Sequence, residues 1–453
     1  MAKTRICVIG AGPSGMSMVY NFSKMETGND AEIVCFDKQD TWGGQWNFSW
    51  RTGTDEYGEP CHNGMYKYLW SNGPKECLEY PDYTFEEHFG KPVPSFPPRP
   101  VMRDYIEGRM KKCAKDLKAC FRFKTAVRFV KYNEMPEDNF SVTFTNLEDN
   151  KTVTETFTHV VVAIGIFNSP KIPNFPGIES FGGRVLHSHN FRDPNEFKGQ
   201  RLLVIGASYS AEDIAIQCCK FGAKSIISSW RTKPMGFKWP KGIEEKPLVE
   251  KFDSNMVHFT DGTSAEVDTV IYCTGYLYLY PFMDENLKLK SPKLTMYPDN
   301  VYKGTLWLGG GNNKVFYIGM VDQYFSFTLF DVQTLWTCKY IFGELNEQTQ
   351  REDLEKSMKE WVNRRNSLKD CHDEIDFQGD LITVLSKDTG YNIDSGPVGA
   401  KLFHTWEHQR EADIVTYKDQ CFPSIYTKSM APAPSCKYSD ALDDSIQAYT
   451  GAK

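Results

Sequence analysis

The chain has 453 residues, enough for two or more domains with substantial cores, and its 40% apolar and 25% charged content is that of an ordinary globular protein. A net charge of −7 gives no bulk footprint for nucleic acid or an anionic membrane. The sequence runs from Met1 straight into a strand without a signal peptide, and no apolar run approaches the ~20 residues of a membrane helix, so a cytoplasmic protein is expected.

The first element is a buried strand, Ile6 to Ile9, that runs into Gly10-Ala-Gly12-Pro13-Ser14-Gly15 and a helix. In such a unit Gly10 allows the tight turn, Gly12 lets a pyrophosphate approach the backbone, and Gly15 lets helix pack on strand. A second strand, Glu32 to Phe36, ends on Asp37, an acid placed to accept hydrogen bonds from a ribose hydroxyl. A buried strand, Thr158 to Gly165, closes this unit, and the proline-rich run Phe167 to Gly177 leads out of it.

A second, degenerate unit follows. Arg201 to Ile205 runs into Gly206-Ala-Ser208-Tyr209-Ser210-Ala211, with serine at the close-approach position and alanine at the helix-packing position. Its second strand, from Ser225, ends near Arg231, Thr232 and Lys233. A cation there can hold a 2′-phosphate, although Arg231 and Lys233 also read as a solvated basic loop. The strand Val270 to Gly275 ends this unit as Thr158 to Gly165 ends the first. Acid in one site and cation in the other point to FAD in the first and NADPH in the second, with hydride transfer between them.

Beyond Leu277 the chain is expected to return to the first domain. A buried strand is predicted over Lys314 to Gly319, a helix over Thr328 to Gly343, a charged surface helix over Gln348 to Asn366, and an irregular arm around Pro432 and Pro434. The fold class is therefore α/β, with two Rossmann-like dinucleotide-binding domains. The NADP domain (169–278) is inserted in an FAD domain made of 1–168 and 279–453. Thirteen scattered cysteines with no Cys-x-x-Cys pair read as free thiols, with Cys218 and Cys219 in the core. They leave no redox dithiol, and no metal site is expected.

Ahead of the second unit stands Phe181-Gly-Gly183-Arg-Val-Leu-His187-Ser-His-Asn-Phe191. It fits F-x-G-x-x-x-H-x-x-x-[FY], the fingerprint of flavin-dependent N-hydroxylating and flavin-containing monooxygenases. Its ending, Phe191-Arg192, departs from the Trp-Pro or Trp-Asp of Baeyer–Villiger enzymes. With Trp42-Gly-Gly-Gln45-Trp46, Met65-Tyr66, Tyr68 to Glu76, Ser208 to Asp213 and Asp322-Gln323, almost the whole chain resembles the bacterial-type, soluble flavin-containing monooxygenases, nearest among them the trimethylamine monooxygenases. Ile166, where a polar residue such as histidine is expected, and Lys171 depart from the pattern and bear on substrate preference.

The resemblance implies that NADPH reduces FAD, that oxygen adds to give a 4a-hydroperoxyflavin, and that a tertiary amine (trimethylamine to its N-oxide) or a sulfide takes the distal oxygen. The alternatives are a Baeyer–Villiger monooxygenase, an NADPH oxidase, or a non-catalytic nucleotide sensor. The cofactor-contacting set it implies is Gly10, Gly12, Pro13, Ser14, Gly15, Asp37, Lys38, Gln39, Gly44, Gln45, Trp46, His62, Trp70, Asn72, Val127, Gly206, Ser208, Tyr209, Ser210, Arg231, Thr232 and Gln323. Asn72 is the catalytic candidate, since its amide can bond the oxygenated flavin or the nicotinamide ribose; Asn72-Gly73-Pro74 is equally turn chemistry. Tyr209 either touches the nucleotide or packs, and Trp42 reads as core. A homodimer acting on a small amine or sulfide and O2 is expected, with no nucleic-acid or membrane partner.

Overall fold

Alternation in the short apolar strands sends neighbouring side chains to opposite faces of a sheet, and both faces are covered. The computed structural model describes residues 3–26, 30–291, 293–345 and 350–451. Its larger sheet has seven strands in the order Val301–Tyr302, Leu306–Trp307, Val315–Tyr317, His159–Val162, Thr4–Ile9, Ala31–Phe36 and Phe121–Arg122. The last five run parallel, and the first two are antiparallel additions.

Along Thr4–Ile9, Ile6 and Val8 join a core with the helices Pro13–Lys24 and Ser326–Ile341, whereas Cys7 and Ile9 join a second core on the opposite face. That second face is covered by a three-stranded antiparallel sheet, Thr125–Asn133, Asn139–Asn146 and Thr152–Phe157, through Phe140, Val142 and Phe144. Each Val or Ile buried in this way contributes roughly 1.5–3 kcal/mol.

The second sheet repeats the layering. Its five parallel strands lie in the order Ile243–Lys246, Ser225–Ser229, Arg201–Ile205, Thr269–Tyr272 and Arg184–His187. Leu202 and Val204 share a core with Ala211, Ile214 and Ala215 of the helix Tyr209–Lys220. Leu203 and Ile205 face a second antiparallel sheet, Val249–Asp253, Met256–Phe259 and Ser264–Glu266, through Val257 and Phe259.

The two crossings between sheets lie side by side. The Lys171 N–H donates to Gly275 O at 2.9 Å and the Leu277 N–H to Ser169 O at 2.9 Å, around a bridge between Pro170 and Tyr276. The later part of the chain follows the sequence reading at Val315–Tyr317 and Ser326–Ile341. The charged helix is Arg351–Asn366, with acids in its first turn and arginines in its last, as the helix dipole favours; Gln348 lies outside the described residues. Helix Arg99–Lys112 was not anticipated from sequence, and of the C-terminal helices expected within 279–453 the bounds of Cys371–Thr389 and Pro397–Ala412 were not marked.

The arm around Pro432 and Pro434 is irregular, as expected, but it buries Phe422, Tyr438 and Tyr449 and ends in the helix Ile446–Thr450. Among the described residues no helix is long and apolar enough to cross a membrane. The thirteen cysteines are free; Cys218 is buried and Cys219 half-buried.

Candidate functional site

The first glycine turn is built so that only one of its glycines leaves room beside it. Gly10 has φ +105°, and a Cβ there would lie 2.5 Å from Ala163 O. A Cβ on Gly15 would lie 1.9 Å from Gly10 O. At Gly12 the same atom would meet only Gly44 Cα, at 3.6 Å. The protein itself does not need Gly12 to be bare, so the open space beside it fits a diphosphate approaching the backbone. Gly12 also starts the helix Pro13–Lys24 and no side chain caps it, which leaves its first N–H groups for a ligand.

Other elements close on this turn. The Asp37 carboxylate accepts the Ala11 N–H at 2.6 Å and the Gln39 N–H at 2.8 Å. These bonds hold it beside the turn while lone pairs remain for ribose hydroxyls. Gly43 donates to Ala11 O at 2.8 Å and brings up Gly44, at φ +53°, where a Cβ would come 2.7 Å from Gly12 Cα. His62 Nε2 donates to Gly44 O at 3.0 Å. On the far side Gly319, at φ +65°, lets the end of strand Val315–Tyr317 reach Ser14, whose Oγ would be 2.7 Å from a Cβ there.

Gln323 lies ahead of the helix Ser326–Ile341, and its Oε1 is buried without a hydrogen-bond partner, an acceptor left for a ligand. The open Gly12, the aligned N–H groups, Asp37 and this orphaned oxygen together fit FAD. Trp46 packs edge-on against Phe327, and Trp42 is core, edge-on against Phe121. Lys38 pairs with Glu59 at 3.4 Å, Gln45 is half-buried, and Val127 sits half-buried at a bulge in the antiparallel sheet. Trp70 lies in the core between Tyr438 and Tyr449.

The second turn is similar but looser. Gly206 has φ +145°, and a Cβ there would lie 2.3 Å from Cys273 O. Ser208 caps the helix Tyr209–Lys220 by position but makes no side-chain cap bond, and Ser208 and Ser210 are exposed. Tyr209 is turned inward. Its hydroxyl donates to Glu407, and Arg410 lies 4.7 Å over its ring. Arg231, Thr232 and Lys233 are exposed just past the strand Ser225–Ser229, and among the described residues no carboxylate pairs with Arg231.

The fingerprint between the units acts as a fastening. A Cβ on Gly183 would lie 2.2 Å from Asp268 O, which explains the glycine. His187 Nδ1 accepts the His189 N–H at 3.1 Å, so its proton is on Nε2, which donates to Gly275 O at 3.1 Å. Burial, with His189 beside it, pushes His187 down to about 4 and keeps it neutral. Phe191 is fully buried, stacked on Phe197 at 5.3 Å.

Four groups important to this arrangement were not assigned from the sequence. Arg192 is buried and donates to four backbone carbonyls: His189, Phe191, Arg51 and Asn63. It thereby ties the fingerprint to the segment carrying His62. Asp213 lies on the second nucleotide helix and accepts from Lys418 Nζ at 3.0 Å, from the Tyr438 hydroxyl at 3.1 Å and from the Tyr66 hydroxyl. Arg192 directly follows the fingerprint and Asp213 ends the Ser208–Asp213 motif, so both stood in marked segments. Nothing in the sequence marked Lys418 or Tyr438, because their partner lies some 200 residues away in the chain.

Asn72 is exposed between the buried Ser71 and Gly73, and among the described residues its amide has no protein hydrogen bond. Gly73 lies against Trp406, whose ring atoms would be 3.3 Å from a Cβ there, and Trp406 is 6.3 Å from the Tyr209 ring. Asn72 therefore stands at the junction of the first unit with the start of the second nucleotide helix. Ile166, the departure noted above, is 2% exposed in the apolar core beside the larger sheet.

Comparison with known proteins agrees with this architecture. The model of the family described as "Flavin-binding monooxygenase-like" matches residues 3–235 and 241–409. The chain is 47% identical to a trimethylamine monooxygenase of Methylocella silvestris over 98% of both proteins. It is 28% identical to a senecionine N-oxygenase of Tyria jacobaeae over 83% of this chain and 78% of that protein. The crystal structure of Tmm from Pelagibacter sp. strain HTCC7211 superposes with a TM-score of 0.94 at 43% identity, covering 98% of this chain and 100% of that one.

Proposed function

The chain belongs to the flavin-binding monooxygenase-like family and is a flavoprotein oxidoreductase with FAD and NADPH as its cofactors; from that premise we propose that it oxygenates a small tertiary amine of the trimethylamine type to its N-oxide, with soft sulfides as further substrates. The observation that carries the reading is the pair of nucleotide turns with opposite charge at their strand ends, Asp37 in one and Arg231 in the other, fastened into one body. The substrate class is supported by the near-full-length likeness to trimethylamine monooxygenases. The bound cofactors supply hydride, electrons and activated oxygen.

The chain's own residues bind, orient and shield. Gly12, Gly44, Pro13 and the N–H groups of the first helix would hold the FAD diphosphate, Asp37 would take a ribose, and Gln323 Oε1 would offer the cofactor an acceptor. Ser208 and the N–H groups of the second helix would take the NADPH diphosphate, and Arg231 its 2′-phosphate. Asn72 orients the reacting groups where the two units meet. Arg192 and the Asp213 cluster hold the units in register, so that the two cofactors would meet in a fixed relation. Residues 1–168 and 279–453 form the FAD part and 169–278 the NADP part; the paired neck at Ser169–Lys171 and Gly275–Leu277 supports those bounds.

The test is product analysis by mass spectrometry, with NADPH consumption followed in parallel for trimethylamine, dimethyl sulfide and indole. N-oxide formed in proportion to NADPH is the expected result. An ester formed from a ketone, or hydrogen peroxide equal to NADPH with every substrate, would overturn it.

A further inference from the structure

Away from both nucleotide turns, the Cys371 thiol, the His372 imidazole and the Glu411 carboxylate each bring a donor atom within 4.8 Å of the other two. Cys371 and His372 open the helix Cys371–Thr389, and Glu411 lies in the last turn of Pro397–Ala412, which packs against it. The thiol and imidazole are half-buried and the carboxylate is exposed.

His372 is held by a relay. Its Nδ1 lies 2.8 Å from His404 Nδ1, and His404 Nε2 lies 2.7 Å from Asp376 Oδ1. A carboxylate only accepts, so the His404 proton sits on Nε2 and its Nδ1 is the acceptor. The His372 proton is then on Nδ1, which leaves the Nε2 lone pair free. A metal-binding histidine usually gives its other ring N–H to a fixed acceptor; here that acceptor is His404, itself held by Asp376. His408, one turn after His404, places its ring 4.9 Å from that of His372 and its Nδ1 3.9 Å from the Glu411 carboxylate. Three of the chain's nine histidines thus stand on one patch outside both glycine turns.

We propose that Cys371, His372 and Glu411 bind a divalent transition metal of the zinc class, with His408 or water completing a tetrahedral set. A thiolate and an imidazole beside a single carboxylate favour zinc over magnesium or calcium, which take oxygen ligands. Binding converts the Cys371 thiol to a thiolate and releases its proton to solvent. The ion pins the start of one helix to the end of the other. Glu407 lies one turn before Glu411 and Arg410 directly precedes it; both hold Tyr209, so the metal braces the approach to the second nucleotide turn.

The experiment uses the FAD-loaded enzyme stripped of metal by chelation, titrated with Zn2+ by calorimetry and then measured by zinc X-ray absorption. About one equivalent should bind, with a sulfur shell at ~2.3 Å and nitrogen or oxygen at ~2.0–2.1 Å, and the Tm should rise. Cys371→Ser should remove the sulfur shell. His372→Ala should weaken binding more than tenfold, His404→Ala by about tenfold, and His258→Ala not at all. Retained flavin absorbance reports that each variant is folded. Should a variant fail to fold, protection of Cys371 from alkylation by Zn2+ in the unaltered enzyme decides. Absence of a sulfur shell, zinc binding indifferent to both Cys371→Ser and His372→Ala, or alkylation of Cys371 unaffected by Zn2+ would each overturn the site.

Discussion

The proposed role of Arg231 in coenzyme choice rests on one exposed guanidinium that no carboxylate among the described residues holds back from a phosphate. A charge-assisted contact of this kind is worth ~1.5–3 kcal/mol, so Arg231→Ala should raise the KM for NADPH by about ten- to a hundredfold and leave that for NADH nearly unchanged. Equal shifts for both coenzymes in steady-state assays would remove Arg231 from 2′-phosphate recognition. Gly12 offers a cleaner separation of binding from folding. A methyl group there meets Gly44 only at 3.6 Å, so Gly12→Ala should melt like the unaltered apoprotein yet purify without flavin colour. Full FAD occupancy in that variant would show that the diphosphate does not approach Gly12. Asn72 is tested by coupling. Asn72→Ala should still bind FAD and oxidise NADPH, while N-oxide formation falls by ~10²–10³ and hydrogen peroxide takes its place. Unchanged N-oxide per NADPH in the variant would reduce Asn72 to a turn residue.

The fingerprint strand Arg184–His187 carries a pH dependence with a definite sign. An unfolded histidine titrates near ~6.5, whereas burial, with His189 beside it, brings folded His187 down to about 4. Between those values the unfolded chain takes up a proton that the folded chain refuses. The contribution is complete above the upper value and is lost as pH falls toward the lower one. Glutamine can also accept and donate at this position, so His187→Gln should flatten the loss of Tm between about pH 6.5 and pH 4. His159, which burial also lowers to about 4, retains its own share. An identical slope with and without His187 in pH-dependent melts would count against this account. Elements of this kind were legible because glycine spacing and apolar alternation are local signals. Thr4–Ile9, Arg201–Ile205 and Ser326–Ile341 fall where the sequence put them, within two residues. The helices Cys371–Thr389 and Pro397–Ala412 did not stand out, because polar residues such as Gln378 and Glu407 occupy buried positions on them and blur the apolar stripe. Tyr209 shows the limit within the site. Its place after Ser208 was readable, but its inward turn depends on Glu407, 198 residues later.

At the scale of the whole molecule, one buried carboxylate joins three distant stretches of chain. Asp213 and Lys418 are 6% and 1% exposed, and removing one partner of such a pair leaves a buried charge uncompensated. Lys418→Met should therefore cost ~3–5 kcal/mol, and adding Asp213→Asn should recover part of it. Additive losses in thermal or denaturant melts of the single and double variants would show that the two do not act as a pair. Coupling of NADPH to product should suffer in the same order, since the arm sets the position of one nucleotide unit over the other. The neck has a different consequence. Its two crossings touch at Lys171–Gly275 and Leu277–Ser169, so the inserted unit begins and ends at nearly one point in space. Joining the flanks there closes only a short loop, at small entropic cost. The unit can thus be exchanged through two adjacent cuts rather than the redesign of a sheet, provided that the incoming unit keeps an acid at the place of Asp213 to partner Lys418.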